Sequence, residues 1–317
     1  MTDTPTTRAR PEAIQAVPVR HPGRWVATAV IAVLTAMFAN MVMTNKVFNW
    51  SFMLDNMFNA PVLEGVRTTL LMTIEAMILG VGIGIVLAVM RLSPNPIVNG
   101  AAWLYVWFFR AIPRYVLLTV CGGLGIFYST YRIGVPFGSQ LASLLGLSSD
   151  LSILSLNGNQ IARGFVAGLL GLALSEGAYM AEIVRAGIAS VDTGQQEAAS
   201  ALGMSRILTM RRIVLPQAMR IIVPPTGNET IAMLKDTSLL LAIPVTNELF
   251  FQTQAIGNRT FQIVPMLMAA LLWYLALSSV LMVGQFFLEK RFARGFDQRQ
   301  ARLKIMQVES EHGAGAM

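Results

Sequence analysis

Residues 193–216, TGQQEAASALGMSRILTMRRIVLP, form a polar stretch between two apolar segments that are each long enough to cross a membrane. Thr193 and Gln196 have the spacing of a capping box, with an aspartate just before them, and Gly203 is a natural helix stop. Ser205 can cap a second short helix that ends at Pro216. The stretch therefore predicts two short helices outside the membrane, with an ordinary turn between two spans as the alternative on geometry alone.

The composition is typical of a membrane protein. Of the 317 residues, 54% are hydrophobic and 13% are charged, whereas soluble domains average about 25% charged residues. The net charge of +7 could suggest a nucleic-acid partner. The charges, however, lie at the ends and in the loops of apolar segments, so no nucleic-acid partner is expected. The single cysteine, Cys121, lies in an apolar run, and His21 and His312 lie in the tails, so no metal site is expected.

Six apolar segments are predicted to be transmembrane helices, because about 20 apolar residues cross the hydrocarbon core of a bilayer. They are residues 25–45, 68–90, 103–127, 164–179, 215–234 and 260–288. The fifth segment continues as a broken apolar run to about residue 251. The predicted fold class is an all-α polytopic membrane protein with six transmembrane helices.

Four segments outside the spans also have a predicted character. Residues 1–24 are a basic, proline-containing leader, which we expect to be disordered; the apolar run after it is too long for a signal-peptide core. Residues 51–62 alternate apolar and polar side chains, as in a short helix lying in the interface. Residues 129–160 are a Gly-, Ser- and Asn-rich insertion on the far side, and residues 291–317 are a basic tail.

The distribution of Lys and Arg predicts the orientation. Sixteen of them lie in segments that are cytoplasmic if the N-terminus is inside, and five lie in the outer segments. Because cytoplasmic loops carry an excess of Lys and Arg, both termini and the stretch 193–216 are predicted to be cytoplasmic.

The stretch 193–216 resembles the cytoplasmic coupling loop of binding-protein-dependent ABC importer permeases. Seven positions carry this resemblance: Glu197, Ala198, Ala199, Gly203, Ile213, Leu215 and Pro216. From about residue 60 to 295 the chain resembles the polar amino-acid permeases of the histidine/glutamine/glutamate type. The strings that carry it are Leu63-Glu64-Gly65, Phe109-Arg110-Ala111-Ile112-Pro113, Ala178-Tyr179-Met180-Ala181-Glu182-Ile183 and Leu234-Lys235-Asp236-Thr237-Ser238-Leu239. The family has Gly-Thr-Pro where Ala111-Ile112-Pro113 stands here, and an apolar residue where Arg114 follows.

This resemblance implies an importer transmembrane domain at 60–290 with its coupling loop at 190–216. The helix at 25–45 is then an addition to a five-helix core. The implied partners are two cytoplasmic ATP-binding subunits, an extracytoplasmic solute-binding protein and a second permease chain, identical or a sister. The implied location is the bacterial cytoplasmic (inner) membrane, and the implied substrate is a polar amino acid. We expect no catalytic residue and no cofactor in this chain, because it has no Walker motif and ATP hydrolysis belongs to a separate subunit.

Charged and polar residues within spans are candidates for the substrate path, because they are costly there unless they face a cavity or one another. The predicted residues are Glu176, Tyr179, Asn228, Glu229, Asp236 and Thr237. For Arg110, Arg114 and Lys235, a structural ion pair or a side chain reaching the interface is an equal alternative. For Glu75, an uncharged buried carboxyl is an equal alternative.

Two other function classes stay open from the sequence. The first is an ion-coupled secondary amino-acid carrier that uses its buried carboxylates, although such carriers usually have repeated sets of spans and none is evident here. The second is a membrane scaffold that transports nothing. The sequence does not indicate which amino acid is carried, nor whether the second permease chain is identical.

Overall fold

The computed structural model describes residues 22–127, 129–135, 137–146, 152–158, 164–243 and 245–293. The predictions for residues 1–21 of the leader and 294–317 of the tail lie outside these ranges. The chain divides into two compact units, residues 1–49 and 50–317. The first contains helix α1, Pro22–Thr44, and a short 3₁₀ helix, Lys46–Phe48. The 23 residues of α1 extend about 35 Å, enough to cross a bilayer, as predicted for 25–45.

The described part of the second unit is helical except for two short strands. Its helices are α2 Trp50–Asn56, α3 Ala60–Arg91, α4 Pro96–Ala111, α5 Arg114–Gly122, α6 Leu124–Phe127, α7 Gly138–Leu144, α8 Gly164–Ala189, α9 Thr193–Ala201, α10 Arg206–Thr209, α11 Leu215–Asp236, α12 Leu249–Thr260 and α13 Ile263–Ala293. A π-helical turn, Met210–Val214, joins α10 to α11, and a 3₁₀ helix, Thr237–Ala242, follows α11. The predicted all-α fold class is confirmed.

By length and composition, four described helices can cross a membrane: α1, α3, α8 and α13. The bent pair of α4 and α5 raises the number to five if it counts as one span. The predicted segment 215–234 is helical, as α11, but its charged and polar side chains make it less apolar than the other spans. The six-span count and the inward orientation of both termini therefore stay predictions.

The third predicted span, residues 103–127, is not one continuous helix. Instead, α4 and α5 meet at an angle of 100°. Ile112 has an extended backbone, with φ −87° and ψ 132°, and Pro113 follows it as the N-cap of α5. A residue before proline is disfavoured in the helical region, and proline itself has no N–H to donate. The bend puts Arg114 at the first position of a new helix.

Two long helices, α3 and α8, pack closely through glycine. A Cβ built on Gly80 would lie 2.6 Å from Glu176 Cγ, and one on Gly84 would lie 2.4 Å from Met180 Cβ. Small residues at helix interfaces in membranes permit such close approach. Helix α8 runs ten residues beyond the predicted end at residue 179, because a hydrogen-bonded helix can continue where its side chains become polar.

Two further segments differ from the predictions. The interfacial helix predicted at 51–62 is shorter, as α2, because the next helix begins after Asn59, which occupies its N-cap position, with a proline in its first turn. The insertion at 129–160 contains an antiparallel pair of strands, β1 Thr130–Gly134 and β2 Ser152–Asn157, which was not predicted.

Candidate functional site

Arg114 lies at the centre of a charged cluster between α5, α8 and α11. Its side chain is 13% exposed, and its Nη2 lies 3.0 Å from Glu176 Oε2 and 3.8 Å from Glu229 Oε2. The carboxylate of Asp236, at the end of α11, accepts a hydrogen bond from Nη1. The bend at Pro113 makes these contacts possible, because it starts a new helix at Arg114. We call these four charged residues the Arg114 cluster.

The Arg114 cluster carries more negative than positive charge. One guanidinium faces three carboxylates, which leaves two negative charges in excess when all four groups are ionised. Glu176 is fully buried. Its Oε2 accepts a hydrogen bond from Arg114, but its Oε1 has no hydrogen-bond partner among the described residues. Because an unpaired buried charge is costly, the cluster suits a ligand that brings positive charge and N–H donors.

Tyr179 adds an aromatic surface to the cluster. Its ring centroid lies 4.8 Å from Cζ of Arg114 and 5.3 Å from Cζ of Arg110, so it contacts two guanidinium groups. Such distances permit cation–π attraction. The structure thus brings together four of the six residues predicted for the substrate path: Glu176, Tyr179, Glu229 and Asp236.

The other two predicted path residues lie outside the Arg114 cluster. The side-chain oxygen of Asn228 accepts a hydrogen bond of 2.9 Å from Gln285 on α13. Neighbouring positions on a helix point about 100° apart, so Asn228 and Glu229 contact different elements. Thr237 is fully buried and belongs to a second polar network.

This second network surrounds Glu248, which sequence reasoning did not single out. Glu248 is fully buried and caps the N-terminus of α12. Its partners are the hydroxyls of Thr69 (2.9 Å), Tyr274 (2.6 Å) and Thr237 (3.4 Å) and the backbone N–H groups of Phe250 (2.7 Å) and Phe251 (3.2 Å). We call this set the Glu248 network. An acidic residue directly before a helix is the signal that could have indicated the cap.

The remaining charged candidates do not join either network. Glu75, on α3, is partly buried and makes no hydrogen bond or ion pair with another described residue. Lys235 is exposed. Within the described ranges, no group of three or more His, Cys, Asp or Glu side chains is placed to hold a metal ion.

The predicted coupling loop has the helix and stop expected from its sequence. The helix α9 ends in a Schellman motif: the N–H of Gly203 bonds the carbonyl of Ser200, and that of Met204 bonds the carbonyl of Ala199, at 3.0 and 3.1 Å. Gly203 has a φ of +76°, where glycine is strongly favoured. The cap of α9 is Asp192, whose carboxylate accepts the N–H of Gly194, and not the predicted Thr193.

The second half of the loop is also corrected in part. Ser205 caps α10 as predicted, by accepting the N–H of Leu208. The helical path does not end at Pro216, however, but continues through the π-helical turn into α11. Proline fits there because the first turn of a helix does not need its N–H.

The loop presents a mixed surface. Glu197 and Ala198 are exposed, whereas Ala199 is buried within the loop, so only one of the two predicted alanines is available to a partner. Two large apolar side chains not predicted as contacts, Leu202 and Ile207, are 82% and 81% exposed. Among the remaining positions, Ile213 is half-buried, and Leu215 and Pro216 are exposed. Apolar residues exposed on a polar segment are typical of a protein–protein contact.

Comparisons with known proteins match this architecture. Residues 80–294 match the family model described as binding-protein-dependent transport system inner membrane component. The chain is 44% identical over 306 residues to the arginine transport system permease protein ArgU of Corynebacterium glutamicum, covering 96% of this chain and 92% of that protein. It is 35% identical over 249 residues to the glutamate/aspartate import permease protein GltK of Escherichia coli, covering 78% and 99%.

A solved structure described as an amino acid ABC transporter with histidines has the same fold. The TM-score is 0.59 at 27% sequence identity, and the match covers 76% of this chain and 98% of that one. The fold is therefore that of an ABC importer permease. The chain belongs to the family of binding-protein-dependent transport system inner membrane components, and it is the membrane-spanning permease subunit of a bacterial ABC importer. The family implies an ATPase and a substrate-binding protein as partners, and an ion-coupled carrier is not favoured.

Proposed function

We propose that this permease imports basic amino acids, whose side chains carry a second positive charge. The Arg114 cluster is the observation that carries the proposal, because it has two negative charges in excess when all four groups are ionised and one buried acceptor without a partner among the described residues, Glu176 Oε1. The ammonium or guanidinium of a basic side chain would offset that excess, while the substrate carboxylate pairs with Arg114. The similarity to an arginine permease supports the same substrate class.

The cluster also disfavours acidic substrates. A second carboxylate on the substrate would face three protein carboxylates with only one guanidinium between them. Like charges repel strongly where water is partly excluded. In this proposal Glu176, Glu229 and Asp236 bind the cationic end, and Tyr179 contacts the aliphatic stem. Asn228 and Thr237 then support the helices around the path.

We further propose the assembly in which the subunit works. Two cytoplasmic ATP-binding subunits dock on the coupling loops of two permease chains, and an external solute-binding protein delivers the substrate. Residues 193–216 form the docking element, with exposed Ala198 permitting close approach and Leu202 filling a groove of the ATPase. ATP hydrolysis takes place in the separate subunits, since this chain has no Walker motif.

Uptake by proteoliposomes tests the proposal. Vesicles containing the complete importer, its binding protein and internal ATP should accumulate L-arginine or L-lysine in a vanadate-sensitive manner, and ionophores should have no effect. Excess external L-glutamate should not compete. Uptake that depends on an ion gradient, or L-glutamate accepted as well as L-arginine, would contradict the proposal.

A further inference from the structure

A polar cavity lies beside the Arg114 cluster. Its volume is about 400 Å³, within the ~300–1,000 Å³ range of small-molecule sites. It lies between α3, α4 and α8. Among the residues that line it are Arg91, Arg110, Tyr179, Glu182 and the pair Trp103 and Trp107. Tyr179 contacts Arg114 as well, so one aromatic ring borders both the Arg114 cluster and this cavity.

Arg91 has unused hydrogen-bonding capacity at the cavity. Its Nη1 donates to Asn99 Oδ1 at 2.7 Å, and its Nη2 lies 3.9 Å from Glu182 Oε1. Its Nε is buried and has no partner among the described residues. A guanidinium binds a carboxylate best through two parallel N–H groups. Arg91 can therefore donate hydrogen bonds to an oxyanion from the Nε side of its guanidinium.

Arg110 is a second cation without a close carboxylate. Its side chain is exposed, and its guanidinium lies over the ring of Tyr179 at 5.3 Å. No ion pair connects Arg110 to another described residue. Arg91, whose nearest carboxylate is Glu182 at 3.9 Å, and Arg110 line the same cavity, so an anionic group placed between them would have two guanidiniums as partners.

Glu182 adds a negatively charged group to the lining of the cavity. Its Oε2 accepts two hydrogen bonds from Arg185, at 2.7 and 2.9 Å. Its Oε1 accepts none among the described residues and lies 3.9 Å from Arg91. The cavity therefore presents two guanidiniums and one available carboxylate oxygen, an arrangement that matches a zwitterion or an amino acid with a cationic side chain.

The cavity lies on the coupling-loop side of the Arg114 cluster. Glu182 is six residues after Glu176 on α8, which corresponds to about 9 Å along the helix axis. From Glu182 the helix continues to Ala189, and α9 of the coupling loop begins four residues later. Along the axis of α8 the cavity thus lies between the Arg114 cluster and the coupling loop.

We propose that the cavity is a second binding station for the transported amino acid. It takes the substrate carboxylate between Arg91 and Arg110 and the cationic side chain at Glu182, while Tyr179 and the tryptophans contact the aliphatic stem. The ligand class rests on the proposed function, whereas the existence of an anion site rests on the cavity itself. Under the predicted topology this station is the last before release to the cytoplasm.

Equilibrium binding to the purified importer complex, without its external binding protein, tests this inference. The probe is radiolabelled L-arginine. The parent complex should bind it at two classes of site, the cavity and the Arg114 cluster. Arg91→Gln and Arg110→Gln should each weaken binding at the cavity class at least tenfold. The remaining class, at the Arg114 cluster, should be unchanged in both arginine variants. Glu176→Gln should weaken that remaining class and leave the cavity class in place.

Controls separate the outcomes. Asn99→Ala removes the neighbour of Arg91 without changing its charge, so it should retain both classes. A single class of site that Glu176→Gln weakens and both arginine variants leave unchanged would overturn the second station but leave the proposed function standing. Loss of copurified anionic phospholipid in Arg91→Gln, with both L-arginine classes intact, would assign the cavity to a lipid headgroup and overturn the inference. Binding of L-glutamate in place of L-arginine at the Arg114 cluster would count against the proposed function alone.

Discussion

At the scale of single residues, the two buried glutamates have different surroundings. Glu248 has five hydrogen-bond partners, which satisfy both of its oxygens. Glu176 has one oxygen paired with Arg114 and the other without a partner. A saturated carboxylate stabilises the structure around it, whereas one with a free oxygen can accept a ligand. We therefore propose a supporting role for Glu248 and a binding role for Glu176.

Glu176→Gln should therefore impair transport more than folding. The substitution keeps the shape but removes one of the three negative charges that face a cationic substrate. We expect the KM for L-arginine uptake to rise at least tenfold, which corresponds to ~1.4 kcal/mol, with thermal stability close to that of the parent. Uptake kinetics in proteoliposomes measure this. The control is Glu64→Gln, because Glu64 pairs with Arg67 in an exposed ion pair of little energetic value. Parent kinetics in Glu176→Gln would assign this carboxylate a structural role.

Substitution of Glu248 should impair folding more than transport. In Glu248→Gln the side-chain oxygen can still accept the N–H groups of Phe250 and Phe251, and its NH₂ can donate to the surrounding hydroxyls, so stability should fall only slightly. Glu248→Ala leaves those two buried N–H groups without an acceptor, at ~1–3 kcal/mol each. Thermal unfolding of the purified subunit should show a clearly larger loss for Ala than for Gln. Equal losses would mean that the negative charge, and not the hydrogen bonding, is what stabilises the network.

At the scale of elements, glycines on α3 set how closely it approaches α8. Gly84→Val should prevent this packing, because its Cβ would lie 2.4 Å from Met180 Cβ. Overpacking of this kind typically costs ~1–3 kcal/mol. Gly82→Val is the matched control, since a Cβ there would meet nothing within 4 Å. Expression level and thermal stability in detergent should fall for Gly84→Val and not for Gly82→Val. Similar behaviour of the two variants would show that α3 and α8 are farther apart than described.

The stop of the coupling helix is a second test at this scale. Gly203→Val forces a β-branched residue into a left-handed conformation, which costs ~1–2 kcal/mol or more and redirects the loop. Asn tolerates this conformation, so Gly203→Asn should retain much of the function. We expect transport-coupled ATP hydrolysis to be lost in the Val variant and largely kept in the Asn variant, with both inserted in the membrane. Full coupling in Gly203→Val would show that the helix stop is not needed for docking.

At the scale of the whole molecule, the excess of Lys and Arg predicts that both termini are cytoplasmic. A reporter that is active only outside the cytoplasm should be silent when fused after Met317 and active when inserted within residues 140–155. The second site lies in the insertion that carries β1 and β2. The reverse pattern would require every span to be reassigned.

Much of the architecture was predictable because it depends on local patterns. Long apolar runs predicted the membrane helices, and Gly203 predicted the end of α9. The bend at Pro113 was missed because an average over an apolar window is insensitive to one residue that breaks the helix. The role of Arg114 was left open, since its carboxylates lie 62, 115 and 122 positions away in sequence. Only the folded chain places such distant groups in contact.

The peptide bond between Asp236 and Thr237 joins two polar networks. On one side, the carboxylate of Asp236 belongs to the Arg114 cluster, the proposed substrate site. On the other side, Thr237 is fixed in the Glu248 network, which links α3, α12 and α13. Helix α11 ends at this junction, and its other end continues into the coupling loop. Helix α11 thus joins the Arg114 cluster at one end to the coupling loop at the other.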